Sequence, residues 1–220
     1  QSVVERKALI GPTTKEESRR AFALPVEGEV ATLAFDGRGE DLFVGTSAGQ
    51  VARLDLRDPT EPRVAEVLLA AGRAGVGVTA MGFLIGDRTL VVGDAGGGVS
   101  SWQILPDAGG QRRLRKVHDF TPHDGPVVAF ASSHRDKGFL TGDGSGTVHL
   151  HYGTTGRTLL AARVGADRLR AITFAPKADA FVAADAAGRL AHWSVHNPHP
   201  EITGRSLFGK IWYEGYAEPE

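Results

Sequence analysis

A four-fold internal repeat constrains this chain more than any other feature. VATLAF (30–35) followed by DLFVGTSAGQVARLDL (41–56) sets the pattern. It returns as VTAMGF (78–83) with RTLVVGDAGGGVSSWQIL (88–105), as PVVAF (126–130) with KGFLTGDGSGTVHLHY (137–152), and as RAITF (170–174) with DAFVAADAAGRLAHWSV (179–195). Each opening segment ends in Phe, at Phe35, Phe83, Phe130 and Phe174, so the period is 44 to 48 residues. The turn slots open at Gly45, Gly93, Gly142 and Ala184, and each holds a glycine four residues on: Gly49, Gly97, Gly146 and Gly188.

Short apolar strands at this period point to the four-stranded units of a β-propeller, whose blades recur every ~40–50 residues. The first two strands of each unit are near-continuous apolar runs, as expected of a small sheet covered on both faces. Glycine supplies positive φ in the tight turns, and Asp143 can bond the amides of its own turn. The third strands carry Val51, Val99, Val148 or Leu190, followed three residues later by Leu54, Trp102, His151 or Trp193. RVAEVLL (63–69), RRLRKVHDF (112–120) and TLLAARV (158–164) read as more polar outer strands. SVVERKALI (2–10) and RRAFALPV (19–26) read as the last two strands of a preceding unit. Helical periodicity is almost absent, so the expected class is all-β.

These units resemble WD40-like β-propellers over residues 19–200. Trp102 is followed by Gln103 and Trp193 by Ser194, so the family's Trp-Asp pair is missing. That leaves its structural hydrogen-bond tetrad unsupported by the sequence. The expected organisation is the end of a preceding blade at 1–29, four four-stranded blades at 30–204, and a linker at 205–220. Four to five visible blades are few for a closed ring. The expectation is a fragment of a larger, seven- or eight-bladed propeller, or an open arc that a homodimer closes.

The motifs that look chemical fit the repeat better than they fit chemistry. Gly45-Thr46-Ser47-Ala48-Gly49 matches G-x-S-x-G, but a nucleophile elbow needs a strand–turn–helix setting. The equivalent slots read GDAGG, GDGSG and ADAAG. GDGSGT (142–147) lacks the lysine and helix of a phosphate loop. Eight histidines are present, at 118, 123, 134, 149, 151, 192, 196 and 199. No carboxylate stands at metal-ligand spacing from them, and His151 fills a slot held elsewhere by Leu54, Trp102 and Trp193. No catalytic, cofactor or metal residue is therefore expected. Arg112, Arg113, Arg115 and Lys116 make one outer strand basic, either as a solvated edge that resists aggregation or as a contact for an acidic partner or anionic lipid.

Composition excludes some classes. With no cysteine there is no disulfide, thiolate zinc site or cysteine nucleophile. A net charge of −1 gives no global field for nucleic acid. No run reaches the ~20 apolar residues of a membrane helix, and QSVVERK has no signal-peptide pattern.

The last segment differs from the repeats. FGKIWYEGYAEPE (208–220) resembles the stretch that joins an extracytoplasmic propeller-like domain to the transmembrane core of proteobacterial phosphate ABC transporter permeases. The resemblance implies a non-catalytic domain on the periplasmic face of the inner membrane, attached through helices outside this chain. It would serve protein interaction or regulation, with transporter subunits and the phosphate-binding protein as partners. Trp212, Tyr213 and Tyr216 suit a membrane interface, while Phe208, Ile211 and Trp212 suit packing on the last unit equally well. The rival expectation is a free-standing cytoplasmic propeller scaffold.

Overall fold

The computed structural model describes residues 2–8, 11–17, 23–58 and 61–194, the first two stretches as backbone strands. Among them are seventeen strands and no helix. β1 (Ser2–Ala8) and β2 (Gly11–Glu17) pair as an antiparallel hairpin. The other strands form four antiparallel sheets, each a meander of consecutive strands. Sheet I comprises β3 (Val30–Phe35), β4 (Asp41–Thr46), β5 (Gln50–Asp55) and β6 (Arg63–Leu69). Sheet II comprises β7 (Val78–Phe83), β8 (Thr89–Asp94), β9 (Val99–Pro106) and β10 (Arg112–Asp119). Sheet III comprises β11 (Val127–Ser132), β12 (Gly138–Asp143), β13 (Thr147–Tyr152) and β14 (Arg157–Arg163). Sheet IV comprises β15 (Leu169–Phe174), β16 (Ala180–Asp185) and β17 (Leu190–Ser194).

Three expectations change. Residues 23–26, read as part of an outer strand, are not strand; Leu24 and Val26 instead lie against Val44, Ala52 and Leu54 of sheet I. Phe130 is not the counterpart of Phe35, Phe83 and Phe174. Those three pair with Leu42, Leu90 and Phe181, whereas it is Ser132 that pairs with Phe139. The fourth strand expected of the last unit falls in 195–204, outside the described residues, and is untouched by this; within them sheet IV has three strands. The first strands are also less covered than apolar runs imply: β4, β8 and β12 are almost wholly buried, but β3 and β15 alternate toward solvent.

Sheets II, III and IV each pack their leading face on the trailing face of the sheet before. Met81, Leu90, Val92, Trp102 and Leu114 of sheet II meet Phe43 and Val51 of sheet I. Phe139 and Val127 of sheet III meet Val91 and Val99 of sheet II. Leu169, Phe181 and Trp193 of sheet IV meet Leu140, Val148 and Leu150 of sheet III. A bulge follows the first residue of every first strand, at Val30/Thr32, Val78/Ala80, Val127/Ala129 and Leu169/Ala171. The extra residue turns that first side chain onto the leading face. Val78, Val127 and Leu169 then seat on Gly45, Gly93 and Gly142 of the preceding sheet. A Cβ on Gly45 or Gly93 would come within 2.7 or 2.6 Å of those valines, so the socket requires glycine.

Gly49, Gly97, Gly146 and Gly188 all have φ between +82° and +89°, the conformation the turn slot was expected to need. A Cβ on Gly146 would also lie 2.7 Å from the carbonyl oxygens of Gly165 and Asp167, whereas Gly188 has open space around it. Gly146→Ala is expected to cost about 2–3 kcal/mol by adding contact to backbone strain, and Gly188→Ala about 1 kcal/mol from the backbone alone. Urea denaturation of the two variants side by side measures the difference.

Candidate functional site

The turn aspartates show how the repeat organises its polar groups. Oδ1 of Asp94 accepts from the amides of Gly96 and Gly98, that of Asp143 from Ser145 and Thr147, and that of Asp185 from Ala187 and Arg189. In sheet I the slot holds Thr46, whose hydroxyl accepts from Gln50 N–H. Ser47 of the G-x-S-x-G match sits in the β4–β5 turn and accepts from Glu29 N–H at 2.9 Å, a structural use of its hydroxyl.

Sheet III and the loop before it bring together a chain of polar side chains that the sequence reading did not single out. His123 Nδ1 faces Asp143 Oδ2 at 3.3 Å. His123 Nε2 lies 2.8 Å from Thr141 Oγ1, which lies 2.7 Å from His151 Nε2. His151 Nδ1 lies 2.9 Å from Thr158 Oγ1. One proton arrangement fits the three hydrogen bonds: Thr158 donates to His151, His151 to Thr141, and Thr141 to His123, while His123 Nδ1 and Asp143 Oδ2 face each other without a hydrogen bond. His151 here takes the place of the Trp found at the equivalent position in sheets II and IV. Burial first, and then His149, push the His123 pKa down to about 4 against the pull of Asp143. Burial lowers His149 and His151 as well. Burial would raise Asp143, but the amides of Thr147 and Ser145, the Ser145 hydroxyl and His123 hold it below its ordinary value.

The nearest nitrogens of His123, His149 and His151 fall within 4.8 Å of one another. A metal ion lies in the plane of each imidazole it binds. The His123 and His149 rings are stacked 3.9 Å apart at 14°, so one ion cannot lie in both planes. With two of the nearby nitrogens already bonded to Thr141, the cluster suits hydrogen bonding better than metal.

The basic strand expected at 112–116 is β10, the outer strand of sheet II, and it separates two clefts. The first, of about 510 Å³, lies between the turns of sheets I and II; Arg112, Arg38, Arg88, Asp36, Glu40 and Asp87 are on its walls. The second, of about 530 Å³, is lined by Arg113, Arg115 and Lys116 together with Glu66, Leu69 and Asp107. Trp102 and Leu114 line both. Lys116 Nζ lies 5.7 Å from the Trp102 ring centroid and 3.0 Å from Asp119. Arg113 approaches Asp107 at 3.8 Å, and Arg112 approaches Asp41 at 3.7 Å. The Lys116–Asp119 and Arg113–Asp107 pairs, largely exposed, are each worth well under ~1 kcal/mol, whereas Asp41 is buried. Trp212, Tyr213 and Tyr216 lie outside the described residues.

Beneath β10 is a charge cluster that the sequence did not announce. Arg53, buried in β5, donates to Asp41 at 3.0 Å, to Glu66 at 2.8 Å and to the Arg112 carbonyl at 2.9 Å. Glu66 accepts from Leu114 N–H at 2.9 Å. Sheet I thereby satisfies the outer edge of β10 and fixes the register of the basic side chains.

No protein-family model and no curated protein matches the chain. Among solved structures it is similar to the crystal structure of the computationally designed Ika4 protein, with a TM-score of 0.64 at 18% identity. The match covers 82% of this chain and all of that one. At this identity it shows the fold alone, and a fold shared by 1442 matching chains carries no chemistry by itself.

Proposed function

We propose that the chain is an extracytoplasmic β-propeller domain, part of a larger ring, that serves a phosphate ABC transporter permease by docking a protein partner and catalyses no reaction. The observation that carries the docking role is β10, a basic strand between two clefts, its edge hydrogen-bonded to Arg53 and Glu66 of sheet I. Arg113, Arg115 and Lys116 on one side and Arg112 on the other offer exposed cations beside Trp102 and Leu114. That array of cations suits an acidic protein surface better than a small substrate. The link to phosphate transport rests on the resemblance of residues 208–220, and it names the solute-binding protein as partner.

Calorimetric titration with the phosphate-binding protein of the same organism, with and without phosphate, tests the reading. Saturable binding is expected, altered by phosphate loading and weakened at high salt. Arg113→Glu with Arg115→Glu should weaken it at least about tenfold while leaving the fold intact. Arg112 is left unchanged because it touches the buried cluster. Absence of binding in both states overturns the docking role. Recovery of the full-length parent outside the inner membrane overturns the transporter assignment.

A further inference from the structure

Among the described residues, sheets I and IV each leave part of one face exposed, of a contact type that the chain uses three times internally. On the leading face of sheet I, Val30, Leu33 and Phe35 are 54%, 58% and 59% exposed. Their counterparts at the first position, Val78, Val127 and Leu169, are at most 1% exposed because each seats on the sheet before. On the trailing face of sheet IV, Leu190 is 75% exposed, while its counterparts Val51, Val99 and Val148 are buried. Ala184 stands there in the socket position of Gly45, Gly93 and Gly142.

We propose that a second copy of the chain covers both faces, the leading face of each copy docking on the trailing face of the other. The occupant follows from complementarity. Among the described residues, Leu24 and Val26 lie on Val44, Ala52 and Leu54 of the leading face of sheet I but leave Val30, Leu33 and Phe35 exposed. The trailing face of sheet IV leaves Leu190 exposed, and the internal contacts show how faces of these two kinds fit. Head-to-tail contacts leave no free end only if the ring closes, and two copies supplying both faces close it with two equal contacts. The apolar side chains are of the kind that drives such burial. The one poor fit is Ala184, whose methyl stands where Val30 would seat. It demands a small displacement relative to the internal contacts, and removing it should tighten association. This inference is independent of the transporter reading.

Sedimentation of the 220-residue chain between about 1 and 100 µM tests it. A reversible dimer is expected. Leu33→Asp with Phe35→Asp on one face, or Leu190→Asp on the other, should raise the dissociation constant at least about a hundredfold, since each buries a charge in the contact. These positions are exposed in the single copy, so the melting temperature at low concentration should be unchanged. Ala184→Gly should lower the constant about tenfold. Mixing the leading-face variant with the Leu190 variant should restore a heterodimer through the one intact contact. A monomer across the whole range overturns the proposal, as does a dimer indifferent to both sets of substitutions.

Discussion

Unfolding is expected as the pH falls from about 6.5 to about 4, driven by the histidines of sheet III. Burial lowers the pKa of His123 to about 4, and it lowers His149 and His151 too. In that window the unfolded chain binds a proton on His123 and the folded chain does not, and the lowered His149 and His151 act in the same direction. Unfolding therefore takes up protons, and stability falls with falling pH by about 1.4 kcal/mol per pH unit from His123. For His123 alone the loss across the window is about 3 kcal/mol, a large part of a typical domain's stability. Asp143, held low, begins to contribute its own loss only below the ordinary aspartate value. Denaturant titrations at several pH values measure the slope. His151→Trp provides the control, because Trp102 and Trp193 occupy the same slot in sheets II and IV. Its indole N–H can donate to Thr141 without titrating, so the slope near pH 5 should drop by about 1.4 kcal/mol per unit while the fold survives.

Arg53→Met should destabilise the chain by about 3–5 kcal/mol. The substitution keeps much of the apolar length but removes every partner that Arg53 gives to Asp41, Glu66 and the Arg112 carbonyl. Two carboxylates with side chains 4% and 9% exposed would then lose their buried counter-charge. Replacing all three charged residues by apolar ones of similar volume should recover much of the loss, since the penalty comes from the unpaired carboxylates. Guanidinium denaturation of both variants separates the two terms. Because Arg53 and Glu66 hold the edge of β10, the single substitution should also weaken partner binding at the clefts.

The strands were legible in the sequence almost to the residue, because glycine turns and apolar alternation recur at one period. β3, β6 and β7 fall where the pattern put them. The slip at Phe130 has a local cause: β11 runs on through Ala131 and Ser132, and a conspicuous aromatic was taken as its end. Within the segment 19–26, Leu24 and Val26 pack on sheet I without forming a strand at 23–26. The Asp143, His123, Thr141 and His151 chain was not legible, because its members come from a loop and two strands and meet only when sheet III is folded. Asp143 reads as a turn residue, and its Oδ1 serves the turn, while its Oδ2 faces His123 Nδ1 at 3.3 Å. Arg53 was silent for another reason. A lone arginine in a strand reads as surface, and Ser101 and Leu150 at the equivalent positions gave no hint of a charge cluster.

The meander arrangement has a consequence for how the chain is made. Every backbone ladder in sheets I to III closes within a contiguous stretch of sequence, and contacts between sheets follow chain order. Sequence separation between pairing strands stays short for an all-β protein, which favours rapid folding. Sheet I can complete its ladder on emerging from the ribosome, but its trailing face waits for Val78 to arrive. The vulnerable nascent species is thus a finished sheet with an open glycine socket, and that face is where a chaperone would be needed.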